Sequence, residues 1–246
     1  MKIIQLNIWG GNLFDHAVEF LRKEKPDIVT MQEVPVFPKN NILLKMEKTL
    51  GMKSVFARAF GIREHGSIVY RGNAVLSRFY IVSSKSAFYD TGFRVMKNRG
   101  LTSAENIEDI FSEPRNFLSV IIDTPDGKLG VVTTHLAWSE HCSESLQRIQ
   151  QAKKLVKSLK GKMPTILTGD FNTHSDSTSF RIINSSFVNL GKGIKNTLNT
   201  KRHKVFMEKP EGLVVDYILA RNLSGSAKTV DADVSDHLPL VANIKF

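Results

Sequence analysis

Thr165-Ile166-Leu167-Thr168-Gly169-Asp170-Phe171-Asn172 sets an apolar strand directly before a glycine and two polar side chains spaced two apart. Residues two apart on an extended backbone share a face, so Asp170 and Asn172 point the same way. The glycine predicts a tight turn of the backbone at that point. An ionisable group beside a neutral hydrogen-bond donor suits an acid or base next to a contact for a developing charge.

The same arrangement recurs along the chain. Leu6-Asn7-Ile8, Gln32-Glu33-Val34, Thr134-His135-Leu136, Val215-Asp216-Tyr217 and Ser235-Asp236-His237 each place polar groups at or beside an apolar run. Carboxylates, amides and imidazoles where buried strands emerge are the residue types that metal-assisted phosphoester hydrolysis requires. Asp216 lies inside Leu213-Val214-Val215-Asp216-Tyr217-Ile218-Leu219. A carboxylate there is costly unless paired, and an imidazole is the natural partner. If the strands ending at Asn7 and Glu33 are neighbours, those side chains meet at one edge. A lone carboxylate with an amide is a common setting for Mg2+.

Working outward, Ile3 to Ile8 and Asp27 to Gln32 read as strands, separated by a helix around Asn12 to Lys25 with Phe14, Val18 and Leu21 at helical spacing. A second helix is expected around Asn41 to Leu50. Strands are expected near Lys53 to Ala59, Ile68 to Tyr70 and Asn73 to Ser77. Thr124-Pro125-Asp126-Gly127 marks a hairpin between Asn116–Asp123 and Lys128–Thr134. Leu146, Ile149, Ala152, Val156 and Leu159 predict the buried stripe of a helix whose other face carries Lys153, Lys154, Lys157 and Lys160. A short helix is expected at Ser179 to Ser186, and strands at Leu213 to Ala220 and Leu238 to Phe246. Ser84 to Glu113 reads as a long, weakly periodic loop. Hairpins mixed with βα units suggest two packed sheets with helices outside.

At 246 residues and 41% hydrophobic content the chain has room for one large domain or two small ones. The motifs favour one domain over 1–246, because no division leaves a complete set on either side. A single cysteine, Cys142, excludes an internal disulfide framework and fits a reducing, cytoplasmic setting. Neither a leader peptide nor a membrane-spanning run is expected. The formal charge of +10, from 34 basic and 24 acidic residues, favours polyanionic partners such as nucleic acid. Between Ser177 and Met207 stand Arg181, Lys192, Lys195, Lys201, Arg202 and Lys204 with no acid. Lys201, Arg202 and Lys204 are therefore expected to contact substrate phosphates. Trp9 is suited to stacking on a base or covering an apolar leaving group, and equally to core packing.

Taken together and in order, these segments resemble the endonuclease/exonuclease/phosphatase superfamily of deoxyribonuclease I-like proteins. Asn7, Gln32-Glu33, Gly72-Asn73-Ala74-Val75-Leu76-Ser77-Arg78, His135, Gly169-Asp170-Phe171-Asn172, Asp216-Tyr217 and Ser235-Asp236-His237 carry the likeness across nearly the whole chain. The resemblance implies an α/β four-layer sandwich, two packed mixed β-sheets flanked by helices, with the site at one end of the sheets. It implies Glu33 as the primary Mg2+ ligand, with Asn7 and Asp236 close by and Mn2+ as an alternative ion. Asp170 is implied to orient or deprotonate the attacking water, and Asn172 and His135 to contact phosphate. His237, paired with Asp216, is implied to stabilise charged phosphoryl oxygens. Arg115 corresponds loosely to an arginine near the scissile phosphate.

Two departures place the chain on one side of that superfamily. Apurinic endonucleases carry Asn-Gly-(Ile/Leu)-Arg where this chain has Asn7-Ile8-Trp9-Gly10-Gly11, and they usually lack a histidine at the position of His135. The expectation is a monomeric Mg2+-dependent phosphodiesterase or nuclease, with a phosphomonoesterase or a phospholipid or inositol-phosphate hydrolase as the alternative. A non-catalytic nucleic-acid-binding protein is disfavoured by the intact polar set.

Overall fold

Two β-sheets lie face to face in a computed structural model that describes residues 1–38, 41–64, 66–97, 112–203 and 212–246. In chain order the elements are β1 (Lys2–Asn7), α1 (Phe14–Glu24), β2 (Ile28–Val36), α2 (Ile42–Leu50), β3 (Lys53–Glu64), β4 (Ser67–Ser77), β5 (Tyr80–Phe88), β6 (Arg94–Lys97), β7 (Asn116–Thr124) and β8 (Gly127–His135). There follow α3 (Leu146–Ser158), β9 (Thr165–Asp170), α4 (Thr178–Asn184), β10 (Val188–Asn189), β11 (Asp216–Arg221), β12 (Ser224–Thr229) and β13 (Leu240–Lys245). One sheet has the order β12-β13-β1-β2-β4-β3-β6, and the other β10-β11-β9-β8-β7-β5. Each mixes parallel with antiparallel neighbours: β1 runs parallel to β2 and β8 to β9, whereas β9 pairs antiparallel with β11.

Three apolar layers hold the sandwich together. Ile3, Ile28 and Val75 of the first sheet meet Leu118, Val131, Ile166 and Ile218 of the second. The outer face of the first sheet, with Ile4, Val29 and Leu76, packs on Leu21, Met46 and Leu50 of α1 and α2. On the other side Val132, Leu167 and Leu219 pack on Ala152, Leu155, Phe180 and Ile183 of α3 and α4. The layers therefore run helix, sheet, sheet, helix, as expected. Strand side chains alternate faces, so Ile3 faces the sandwich interior and Ile4 the helices.

That alternation also builds the site. Along the inner faces the side chains turn from apolar to polar at one end of every central strand: Ile3-Gln5-Asn7, Ile28-Thr30-Gln32, Val75-Asn73, Leu118-Asn116, Val131-Thr133-His135, Ile166-Thr168-Asp170 and Ile218-Asp216. These polar residues are buried and bonded across the two sheets. Thr168 Oγ1 donates to Thr30 Oγ1 at 2.8 Å and Gln32 Nε2 to Thr133 Oγ1 at 2.7 Å, while Gln5 Nε2 donates to Gln32 Oε1 at 2.7 Å within the first sheet. Asn73 Nδ2 donates to Asn116 Oδ1 at 2.8 Å.

Several expectations change. The two strands expected at Ile68–Tyr70 and Asn73–Ser77 are one continuous strand, β4. Ser84 to Glu113 is partly regular, since it contains the end of β5 and all of β6; residues 98–111 lie outside the described residues. The buried face of α3 is rotated from the expected stripe. Leu146 is 79% exposed while Arg148, Gln151, Ala152 and Leu155 are buried. The cause is polar: Arg148 donates to Ala137 O and Ser139 Oγ, and Gln151 Oε1 accepts from the Ala137 N–H. Helix α3 thereby ties down the segment that follows His135. Gly169 serves close approach and not a turn, for it sits inside β9 with φ 151°, where a Cβ would stand 2.0 Å from Thr134 O.

Candidate active site

Strand ends from both sheets converge on Asp170. Its Oδ2 lies 3.1 Å from Asn7 Nδ2, 3.4 Å from His135 Nε2 and 3.8 Å from His237 Nε2. Its Oδ1 accepts the Asn172 N–H at 2.9 Å. Burial, and then the neighbouring Asp216 carboxylate, push Asp170 up to about 7, against the opposing influence of His237 and the donors from Asn172 and Asn7. Asn172 takes a left-handed backbone, φ 50°, and its side chain donates to Leu136 O at 3.0 Å. A non-glycine residue held there is strained, which is common where geometry serves a site.

Asp216 and His237 form the expected pair, with Nδ1 and Oδ2 2.8 Å apart. Gln5 Nε2 donates to the other Asp216 oxygen at 3.1 Å, and the Asp216 N–H donates to Thr197 Oγ1. Burial opposes a charge on His237. The Asp216 charge and hydrogen bond, aided by Asp170 and Asp236, overcome it and raise the imidazole well above its ordinary range. Nδ1–H then points to Asp216 and Nε2 faces Asp170.

Glu33 stands where β2 breaks register between Met31 and Val34, with φ 56°. Such a bulge re-aims a side chain, and here the Glu33 carboxylate accepts from Asn7 Nδ2 at 3.1 Å. Neighbouring β1 and β2 thus meet at one edge, as the sequence suggested. Asn7 turns its amide N–H groups to Glu33 and Asp170, while its Oδ1 accepts from the Trp9 N–H at 3.0 Å. Asp236 is pushed up to about 6, by burial first and by Glu33 as well, although His237 draws it down. Two carboxylates that repel each other beside an amide form an oxygen-rich setting that a hard divalent cation would relieve, so the residues present fit a metal ion.

The remaining expected residues divide. Arg115 is buried, with Nη1 2.8 Å from His135 Nδ1 and Nη2 2.7 Å from Glu113 Oε2. It therefore engages His135 directly. His135 is held well below the usual imidazole range by burial, by Arg115 and by His237. Trp9 is half-buried in the turn after Asn7. Lys201 is exposed, and Arg202 is paired through Nη2 and Nε with Asp233 at 2.6 and 2.9 Å, so the acid-free stretch borrows a carboxylate from elsewhere. Lys204 lies outside the described residues.

Gln5 and His203 join the site without a signal in the sequence pattern. The His203 ring packs edge-on against His237 with centroids 5.7 Å apart, and one ligand atom from each of His203, Asp236 and His237 lies within 4.8 Å of the others. Burial, and then the His237 charge, lower His203 to about 4, so it is neutral. Nothing in its sequence context signalled this. It stands in a loop, placed by the Asn199 N–H donating to Asp236 O and the His203 N–H donating to Asn199 O.

A base-like carboxylate, a charged imidazole paired with a buried aspartate, and an oxygen-rich edge, gathered at one end of a two-sheet sandwich, define a class. It is that of metal-dependent phosphoester hydrolases. Residues 4–237 match the Endonuclease/Exonuclease/phosphatase family, and the chain belongs to that family. No curated protein is significantly similar to it in sequence.

Among solved structures, an endonuclease/exonuclease/phosphatase from Beutenbergia cavernae is similar with a TM-score of 0.75 at 18% identity, over 100% of this chain and 71% of that one. A mannosyl-6-phosphatase from Bacteroides thetaiotaomicron is similar with a TM-score of 0.68 at 17% identity, over 100% of both chains. D. rerio TDP2 complexed with a single-strand DNA product gives 0.71 at 17% identity, over 100% of this chain and 99% of that one. At such identities the likeness shows the fold.

Proposed function

We propose that residues 1–246 act as one catalytic domain, a Mg2+-dependent phosphodiesterase that cleaves nucleic acid or a nucleotide-like ester. The observation that carries this reading is the buried Asp170 carboxylate, within 3.8 Å of Asn7, His135 and His237 side-chain nitrogens. Glu33 would hold the cation, with Asp236 and Asn7 alongside; bound there, it would neutralise charge on a phosphoryl oxygen. Asp170, ionised, orients the attacking water and takes its proton as the water oxygen bonds to phosphorus and the ester oxygen departs. Asp216 keeps His237 protonated, and the imidazolium faces the charge that grows on the phosphoryl oxygens. Asn172 and His135 contact the same phosphate as neutral groups.

A diester of nucleic acid is supported by the charge of +10 and by the shared fold with TDP2, whose structure holds a DNA product. The second reading, a phosphomonoesterase, is favoured by the equally complete overlap with the mannosyl-6-phosphatase. We take the working form to be a cytoplasmic monomer. The Cys142 thiol, buried and pushed up to about 11, is unsuited to disulfide chemistry. No described helix is long and apolar enough to cross a membrane. The test is a turnover panel with Mg2+ on single-stranded DNA, RNA, abasic duplex, 5′-tyrosyl DNA, inositol phosphates, sphingomyelin and a sugar 6-phosphate. Cleavage confined to the monoesters overturns the phosphodiesterase reading.

A further inference from the structure

The inner face of β4 runs Val75, Asn73, Arg71 from the core toward the site. Val75 packs between the sheets and Asn73 bonds to Asn116 across them. Arg71 is next on that face, roughly 7 Å further along an extended strand. It stands opposite Pro35 of β2, two residues beyond Glu33.

Arg71 is half-buried, and among the described residues it has no hydrogen-bond or ion-pair partner. That separates it from Arg115, Arg148 and Arg202, whose guanidiniums are all engaged. A cation partly withdrawn from water without a counter-charge is costly, and the cost is recovered when an anion docks.

The chain also makes room for this side chain. Arg71 lies against Gly10, in the turn that carries Trp9 past the end of β1. A Cβ at Gly10 would stand 2.1 Å from Arg71 Nη1, and the φ of 62° there disfavours any other residue. The guanidinium thus lies against the turn that follows Asn7, whose amide reaches Glu33.

Resting on the hydrolase reading above, the geometry points to Arg71 as a second phosphate-binding position: it takes a phosphate group of the substrate other than the one that reacts. The planar fork of a guanidinium matches two oxygens of one phosphate. A substrate with a single phosphate has nothing to offer this residue. A strand of nucleic acid or a small polyphosphate does.

The test is equilibrium binding in excess chelator, so that no turnover occurs. One probe is a fluorescein-labelled single-stranded DNA decamer, followed by anisotropy; the other is inositol hexakisphosphate, followed by calorimetry. Arg71→Ala is expected to weaken binding about 10-fold, the scale of one charge-assisted contact. For the DNA, the slope of log affinity against log salt should fall by roughly 0.7, one phosphate's worth for a single strand. Gly10→Ala, which leaves Arg71 in the chain but displaces it, should reproduce the loss. Arg71→Lys should keep most of the salt slope and lose part of the affinity.

Loss on DNA alone assigns the second phosphate to a strand, and loss on inositol hexakisphosphate as well assigns it to polyphosphates in general. Unchanged binding of both probes in Arg71→Ala overturns the inference, as does a wild-type protein that binds neither. Hydrolysis is scored separately with Mg2+. Absent turnover with an intact Arg71 effect counts against the hydrolase reading alone, and normal turnover without an Arg71 effect counts against the phosphate position alone.

Discussion

Arg115 Nη1 lies 2.8 Å from His135 Nδ1, and this contact decides which nitrogen of that imidazole carries the proton. A guanidinium can only donate. Nδ1 must therefore accept, and the neutral ring carries its hydrogen on Nε2, the atom that faces Asp170 Oδ2 at 3.4 Å. Arg115 acts through His135, and Glu113 holds Arg115 in turn. In wild-type protein, ¹⁵N NMR should find the Nε2–H tautomer at His135 throughout the neutral range. Arg115→Ala should mix the tautomers and lower kcat by ~10- to 100-fold, the scale of one charge-assisted hydrogen bond. A wild-type Nδ1–H tautomer contradicts the arrangement.

His237→Ala should reduce turnover by more than ~100-fold, as expected for one preorganised contact to transition-state charge. Asp216→Asn should also reduce it, because the imidazole loses the carboxylate that keeps it charged. Steady-state kinetics on a chromogenic diester check both, with the folded state confirmed by thermal unfolding. Near-wild-type kcat in His237→Ala refutes the role.

The pH profile follows from Asp170, His237 and Asp216. Asp170 must be ionised to take a proton, and burial together with Asp216 places it at about 7, so the rate should rise as pH climbs through that value. His237 must stay protonated, and its raised value puts the falling limb well above the ordinary imidazole range. Asp216→Asn removes a like charge from Asp170 and an opposite charge from His237. Both pKa values then fall, and the residual bell should move to lower pH as a whole. Opposite movement of the two limbs would show that Asp216 does not couple to both.

Gly169→Ala tests the close approach of β8 and β9. The new methyl would meet Thr134 O at 2.0 Å, and backbone cannot swing aside as a side chain can. A loss of about 2–4 kcal/mol in urea unfolding is expected from overpacking and backbone strain together. Unchanged stability would mean that the strands separate locally at no cost.

Much of this architecture could be read in the sequence, for an identifiable reason. Asn7, His135, Asp170 and Asp216 each stand at the mouth of a strand buried on both faces, and Glu33 at a bulge in another, so a polar residue there contrasts sharply with the apolar run beside it. The same double burial hid the polar floor beneath them. Gln5, Thr30, Thr133 and Thr168 sit among apolar neighbours where no period of two is visible, and only the pairing of the sheets shows that they share an interior face. Edge strands failed for the opposite reason. β5 and β12 are largely exposed, and Ser83-Ser84-Lys85-Ser86 and Ser224-Gly225-Ser226 carry no apolar signal. The α3 stripe misled because Arg148 and Gln151, polar by type, are buried to hold the Ala137–Ser143 segment. His203 and Arg71 matter by position alone: one is carried by a loop to His237, the other slotted past Gly10.

The measurement that bears most directly on the account is turnover of bis(p-nitrophenyl) phosphate by wild type and Glu33→Ala, each with Mg2+ and with excess chelator, alongside calorimetric titration of Mg2+. Metal-dependent hydrolysis by wild type is predicted, with binding and turnover lost together in Glu33→Ala. Full turnover in excess chelator, or a Glu33→Ala protein that binds Mg2+ and turns over as wild type does, would contradict it.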